Sequence, residues 1–271
     1  HAGTLVMEYL RGQDILVPEL MPTCDGDTFV QHNGSYWQVF AFQSGDHFAG
    51  ADAQLVEVAK TIARMHVVLR GFPMKYVVPH IDDIIGPLDA GYWDRIHDLA
   101  GENGFEHMLH AQKRFITDGV LTVADALKEI SQVEAVNHGD IHPHNILIPW
   151  DGGLPVIIDF GNLFLADQRH DLAMGLHRLV RQYIVHQHKP WQEGLDRGIG
   201  IFLETQMSIE PLCESCIRAL PLFGSALLFR KMAHNFGLYV EGKRDWQGCL
   251  AQFQRFFVFL DEVREIAQVM A

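Results

Sequence analysis

The sequence predicts an α+β fold, with short strands near its start, a helical body, and one hairpin embedded in that body. Three observations carry this reading. Asn33-Gly34 lies between two runs of strand-forming residues, apolar residues recur at three-and-four spacing from residue 52 onward, and two β-branched runs flank Asp151-Gly152-Gly153. Of the 271 residues, 48% are hydrophobic and 20% charged, which is globular composition with enough apolar material for a sizeable core.

Taken in order, residues 5–10 read as the tail of a helix that ends near Gly12. Val17-Pro18-Glu19-Leu20 reads as extended, because the residue before a proline avoids the helical region. Residues 28–31 and 36–42 are strands joined through His32-Asn33-Gly34-Ser35, where Asn-Gly supports the positive dihedrals of a tight turn. Leu55, Val58, Ile62, Met65 and Leu69 mark an amphipathic helix over 52–69. Residues 89–115 keep helical periodicity, with breaks near Gly101 and Gly104. Thr122-x-x-Asp125 resembles a capping box and predicts a new helix opening there and running towards Val133. Residues 145–148 and 156–158 form the second hairpin, and helices resume near His170 and continue almost to Ala271. The expected boundary is at Ser44-Gly45, dividing a small β-bearing piece (1–45) from a large helical domain (46–271).

The charge balance, 21 − 34 = −13, argues against a nucleic-acid partner, whose affinity rests on basic surface. It is compatible with cationic or neutral small-molecule substrates and mildly favours a cationic one. No apolar run reaches bilayer length and no signal peptide is visible, so no membrane partner and a cytoplasmic location are expected. Nothing in the pattern fixes the oligomeric state. Cys213-x-x-Cys216 has the spacing of half a zinc site or of a redox pair, but no second such pair follows. Buried free thiols on an ordinary helical stretch over 210–220 are expected instead. The chain opens His1-Ala2-Gly3-Thr4 with no initiator methionine, so the expectation is that it begins inside a longer gene product.

Chemistry concentrates in His138-Gly139-Asp140-Ile141-His142-Pro143-His144-Asn145 and in Ile157-Ile158-Asp159-Phe160-Gly161-Asn162. Asp140 and Asn145 share a polar loop stiffened by Pro143, and Asp159 ends an apolar strand. Oxygen ligands of this kind, five and fourteen residues apart across a hairpin, can converge on one hard cation. Mg²⁺ takes few protein ligands and leaves room for phosphate oxygens. A carboxylate held off the metal can orient a hydroxyl and accept its proton.

The pattern H-G-D-x-H-x-x-N, a short hairpin and I-D-F-G resembles the catalytic segment of the aminoglycoside phosphotransferase and choline kinase superfamily. Weaker agreement extends along the chain, in Val17-Pro18, residues 36–45, Ala63-Arg64-Met65-His66 and Asp171-Leu172-Ala173. The resemblance implies a protein-kinase-like bilobal fold with a small β-containing N-lobe, truncated at its start, and a large mainly helical C-lobe. It implies Asp140 as catalytic base, and Asn145 and Asp159 as ligands of Mg²⁺ between nucleotide phosphates. Backbone groups at Phe42, Gln43 and Ser44 would meet the base of ATP or GTP. His138 and His142 would brace the loop, and Asp171 would brace it too or approach the acceptor. The implied function is ATP-dependent phosphorylation of a hydroxyl on a small molecule, an aminoglycoside-like compound or a metabolite alcohol such as homoserine, choline or a sugar.

The family's glycine-rich loop and strand lysine would lie before His1. Their absence from the written sequence sustains the alternative of a non-catalytic kinase-fold binding or regulatory protein. A protein kinase in the strict sense ranks lower, since H-G-D replaces H-R-D and no A-P-E segment follows Asp159-Phe160-Gly161. His66 reads as a satisfied packing histidine and Phe253, Phe256, Phe257 and Phe259 as core. Glu241, Asp245 and Trp246 read as an exposed turn that borders the acceptor pocket in the sharper alternative.

Overall fold

The computed structural model describes residues 2–271; His1, where the chain opens without a methionine, lies outside them. Helix α1 (Ala2–Arg11) buries Val6, Met7 and Leu10 on one face. Four short strands follow: β1 (Leu20–Met21), β2 (Val30–His32), β3 (Ser35–Trp37) and β4 (Val39–Phe40). The Asn-Gly hairpin forms as expected, with β2 antiparallel to β3, Val30 opposite Trp37, and positive φ at Asn33 and Gly34. The single strand expected over 36–42 is instead divided, and β4 turns back to pair with β1. Gln38 stands at the break, where its Nε2 donates to Thr4 Oγ1 (2.8 Å) and to the Thr28 carbonyl (3.1 Å).

After β5 (Asp46–His47) comes α2 (Asp52–Arg70), whose buried positions include Leu55, Val58, Ile62, Met65 and Leu69. Gln54 Oε1 accepts the backbone N–H groups of Ala49, Gly50 and Ala51, which satisfies donors at the helix start. The one-turn helix α3 (Ile81–Ile84) and a 3₁₀ stretch (Gly91–Asp98) lead to α4 (Gly104–Lys128). Asn103 caps α4 by accepting from Phe105 N and Glu106 N, both at 3.1 Å. No helix opens at Thr122. Thr122 and Asp125 lie inside α4, Thr122 Oγ1 donating to the Asp118 carbonyl and Asp125 pairing with Lys128. The buried stripe Ile116, Val120, Val123 and Leu127 carries one helix straight through the apparent capping box.

Strands β6 (Glu134–Asn137), β7 (Ile146–Ile148), β8 (Val156–Ile157) and β9 (Phe164–Asp167) form the embedded β region. The second hairpin pairs Ile146 with Ile157, as the sequence predicts. Two pairings lie outside that prediction: β5 adds to β7, and β9 returns to β6 with Asn137 opposite Phe164. Helices α5 (Arg169–Gln187), α6 (Trp191–Ile209), α7 (Glu214–Val240) and α8 (Trp246–Val269) complete the chain. Residues 210–213 are not helical, and α7 starts at Glu214 with Cys213 Sγ accepting from Cys216 N. The expectation of buried free thiols fails here. Cys213 is exposed and Cys216 half-buried because the pair sits at a surface helix start, and with their Cα atoms 5.1 Å apart the two form a disulfide. Cys249 is buried and free.

One apolar core joins α2, α5, α7 and α8. Phe253 is fully buried, its ring 5.0 Å from Phe105 and 6.3 Å from Trp93, as expected of a core aromatic. Each such side chain contributes about 1.5–3 kcal/mol. No helix among the described residues is long and apolar enough to cross a membrane.

Candidate active site

The site begins where β6 ends. His138 N and Gly139 N donate to Asp171 Oδ2 and Oδ1 at 2.5 and 2.8 Å. Asp171 lies in the first turn of α5, 1% exposed, with His66 Nε2 3.4 Å from Oδ2. Burial works against its charge, but His66 and the loop amides outweigh that and hold the carboxyl below its ordinary range. Of the two roles implied for Asp171, the geometry matches bracing of the loop. Gly139 has φ of 82°, and a methyl group there would collide with the Asn162 carbonyl.

His138 is buried, and burial lowers its pKa. Its Nε2 lies 3.0 Å from the Ile158 carbonyl while Nδ1 accepts from Asp140 N, so the ring is neutral with its proton on Nε2. This bond ties the loop to the strand that delivers Asp159. At the other end of the loop, His142 Nδ1 accepts from His144 N and caps the 3₁₀ turn that carries Pro143. Asn145 is buried, and its Nδ2 donates to the Asp140 carbonyl at 2.9 Å. That bond fixes the amide's sense and leaves Oδ1 without a protein partner among the described residues.

Asp140 projects its carboxylate to the cleft, with Oδ1 3.3 Å from Lys231 Nζ and Oδ2 3.4 Å from His142 Nε2. Burial would raise its pKa, but His142 and Lys231 together pull it far below the ordinary carboxylate value. Asp159 differs. It is exposed, accepts no hydrogen bond among the described residues, and has φ of 65°. A non-glycine residue there costs about 1–2 kcal/mol, which the packed neighbours Ile157 and Phe160 impose.

Asp140 and Asp159 line one cleft of about 1290 Å³. Its opposite wall comes from α1, β4 and the segment after it, including Phe42 and Gln43. Gln43 Nε2 donates to the Ala41 carbonyl at 3.2 Å. Ser44 does not belong with them: it is exposed and off the cleft wall, which continues at Gly45. His138, Asn145 and Asp171 stand behind the wall rather than on it.

Several lining residues had no sequence signal. Lys231, Asn235 and Arg244 reach the cleft from α7 and the turn after it, and Arg178 reaches a small adjoining cavity from α5. Only the turn was singled out in advance, through Glu241, Asp245 and Trp246. Asp245 instead caps α8 by accepting from Gly248 N, and Arg244 between them faces inward. His66 is satisfied as a packing residue.

Asp159, with no protein donor among the described residues, and Asn145 Oδ1 are each an oxygen group of the kind that a hard cation takes. No group of three or more His, Cys, Asp or Glu among the described residues is arranged to hold a metal ion.

Comparison with known proteins gives the same outline. The chain is similar in fold to spectinomycin phosphotransferase in complex with ADP and spectinomycin (TM-score 0.67, 15% identity, 99% of this chain and 82% of that one). It is similar as well to an aminoglycoside phosphotransferase from Alicyclobacillus acidocaldarius (TM-score 0.60, 16% identity, 99% and 81%). A third likeness is to a Plasmodium vivax ethanolamine kinase (TM-score 0.58, 13% identity, 96% and 73%). These likenesses establish the kinase-like fold. Among curated proteins, no sequence matches. The model of the phosphotransferase enzyme family matches residues 5–202, well over half of the sequence. The chain therefore belongs to the phosphotransferase enzyme family, and so to the kinases.

Proposed function

We propose that this chain transfers the terminal phosphoryl group of ATP or GTP to a hydroxyl of a small molecule. Asp140 is the base, Asn145 and Asp159 hold Mg²⁺, and Phe42 and Gln43 border the nucleotide base. One observation carries the reading: two carboxylates of opposite condition face a single cleft, Asp140 paired with a cation and Asp159 with no protein partner. Mg²⁺, when bound, supplies charge neutralisation at the phosphate oxygens.

Asp140 accepts a hydrogen bond from the acceptor hydroxyl and turns its oxygen towards the terminal phosphorus. The new O–P bond forms as the bond to the bridging phosphate oxygen breaks, and the hydroxyl proton passes to Asp140. A carboxylate with a depressed pKa is a weak proton acceptor, so its main contribution is orientation, with proton uptake late in the transfer. Lys231 offsets the negative charge that Asp140 would otherwise present to an incoming phosphate.

The test is a pair of substitutions, assayed for transfer from labelled ATP to a panel of alcohols. Asp140→Asn should lower kcat about 10²–10⁴-fold with nucleotide affinity and thermal stability nearly unchanged. Asp159→Asn tolerates the left-handed backbone equally well, and it should weaken Mg²⁺–nucleotide binding as well as turnover. Near-normal turnover by the Asp159 variant would overturn the assignment.

A further inference from the structure

The net charge of the chain favours a cationic acceptor, but the charges around Asp140 are arranged the other way. Among the described residues only two carboxylates line the main cleft, Asp140 and Asp159, and both have roles in the proposed transfer. Lys231 and Arg244 line the same cleft. A smaller cavity of about 60 Å³ adjoins it, sharing Gly139, Asp140, Lys231 and Phe256, and there Arg178 enters the wall.

These cations differ in what holds them. Lys231 is matched by Asp140. Arg244 forms no ion pair among the described residues, and its guanidinium donates to Asn235 Oδ1. Asn235 is itself buried and anchored through Nδ2 to the Lys231 carbonyl at 2.8 Å. Arg178 also forms no ion pair or hydrogen bond among the described residues. It is half-buried, its guanidinium 4.7 Å from the Phe259 ring centroid. Glu262, the carboxylate of the neighbouring turn, is instead engaged by His177 and Arg181. The cleft and the cavity adjoining it thus carry two guanidinium groups in excess, each held in place by an uncharged partner.

A polyamine-like acceptor would meet like charges here and no free carboxylate. A carboxylate or phosphate group would meet the planar fork that guanidinium offers to such anions. We propose that the acceptor is an anionic alcohol, a small hydroxy compound carrying a carboxylate or phosphate that is received by Arg244 and Arg178. The phosphotransferase reading is needed only to call the bound molecule an acceptor.

Binding and transfer are measured separately on the full chain. The probes form two matched sets: glycerate, glycerol 3-phosphate, glycerol and 3-amino-1,2-propanediol, then glucuronate, glucose 6-phosphate, glucose and glucosamine. Calorimetry without nucleotide should show the anionic members of at least one set binding at least ten-fold more tightly than the amine, and the stronger anion separates carboxylate from phosphate recognition. Arg244→Gln and Arg178→Gln should each weaken that binding about ten- to hundred-fold. Because Arg178 packs on an aromatic ring, Arg178→Lys serves as its control; it should retain the fold and part of the binding. Equal or tighter binding of the amines, no detectable binding of any anionic member, or anion binding untouched by both Gln variants would overturn the inference. Anion binding with no transfer from ATP to any alcohol would leave it standing and count against the phosphotransferase reading instead.

Discussion

The two hairpins of this chain begin from similar instructions and end in opposite surroundings. Both have strand-forming runs around a glycine turn, Asn33-Gly34 in one and Asp151-Gly152-Gly153 in the other. In the first, every strand residue is exposed, and Tyr36 and Trp37 are 67% and 61% accessible. In the second, Ile146, Val156 and Ile157 are buried, and a third strand covers one edge. Turn chemistry makes a hairpin, while tertiary packing decides whether it can aim a side chain. Asp159 keeps its left-handed backbone because the strand before it has nowhere else to go.

The largest test of that contrast sets one glycine against another. Gly139 and Gly34 both have positive φ, 82° and 76°. Gly139 is pressed against the Asn162 backbone, whereas nothing lies within 4 Å of a methyl group at Gly34. Gly139→Ala should cost more than about 3 kcal/mol, since backbone must move as well as strain. Gly34→Ala should cost only about 1 kcal/mol from the dihedral itself. Denaturant midpoints of the two variants measure both, and equal losses would erase the distinction between the exposed hairpin and the packed loop beside the second one.

A second test uses pH, because only the packed region holds buried histidines. His170, in the first turn of α5, lies with Nδ1 3.1 Å from the Phe223 carbonyl. Burial, helped by the charge of Arg230, pushes its pKa down to about 4. Above the unfolded value near 6.5 the group is neutral in both states and has no effect. Between 6.5 and 4 the unfolded chain binds more protons, so stability falls as pH falls, by about 3 kcal/mol across that window for this residue alone. His138 and His177 act in the same direction, burial lowering each. Unfolding curves from pH 7 to 4 should therefore slope less steeply in His170→Gln than in the parent chain.

Local signals proved readable wherever local energetics decide the outcome. Both hairpins, α2 and the loop around Asp140 follow from turn residues and periodicity. The apparent capping box at Thr122 misleads because a cap needs a free helix start, and the apolar stripe of α4 leaves none. The pairing of β6 with β9 joins segments thirty residues apart, which no window of sequence contains. Lys231, Arg178 and Arg244 were hidden for the same reason: each is an ordinary basic residue of a helix or turn until folding sets it in the wall of the cleft or of the cavity beside it. The charge of the whole chain was readable as well, but it sums over every surface and does not say which charges line the cleft.

The grip of Asp171 on two consecutive loop amides has a consequence for hydrogen exchange. Loop N–H groups ordinarily exchange with solvent deuterium through small local fluctuations. Those of His138 and Gly139 end on a buried carboxylate that is anchored in α5, so releasing them requires α5 and β6 to separate. Their exchange should be as slow as that of the core helices, while Gly152 at the neighbouring turn exchanges rapidly. The segment that leads into Asp140 would then have the kinetic character of the protein interior and the address of a loop.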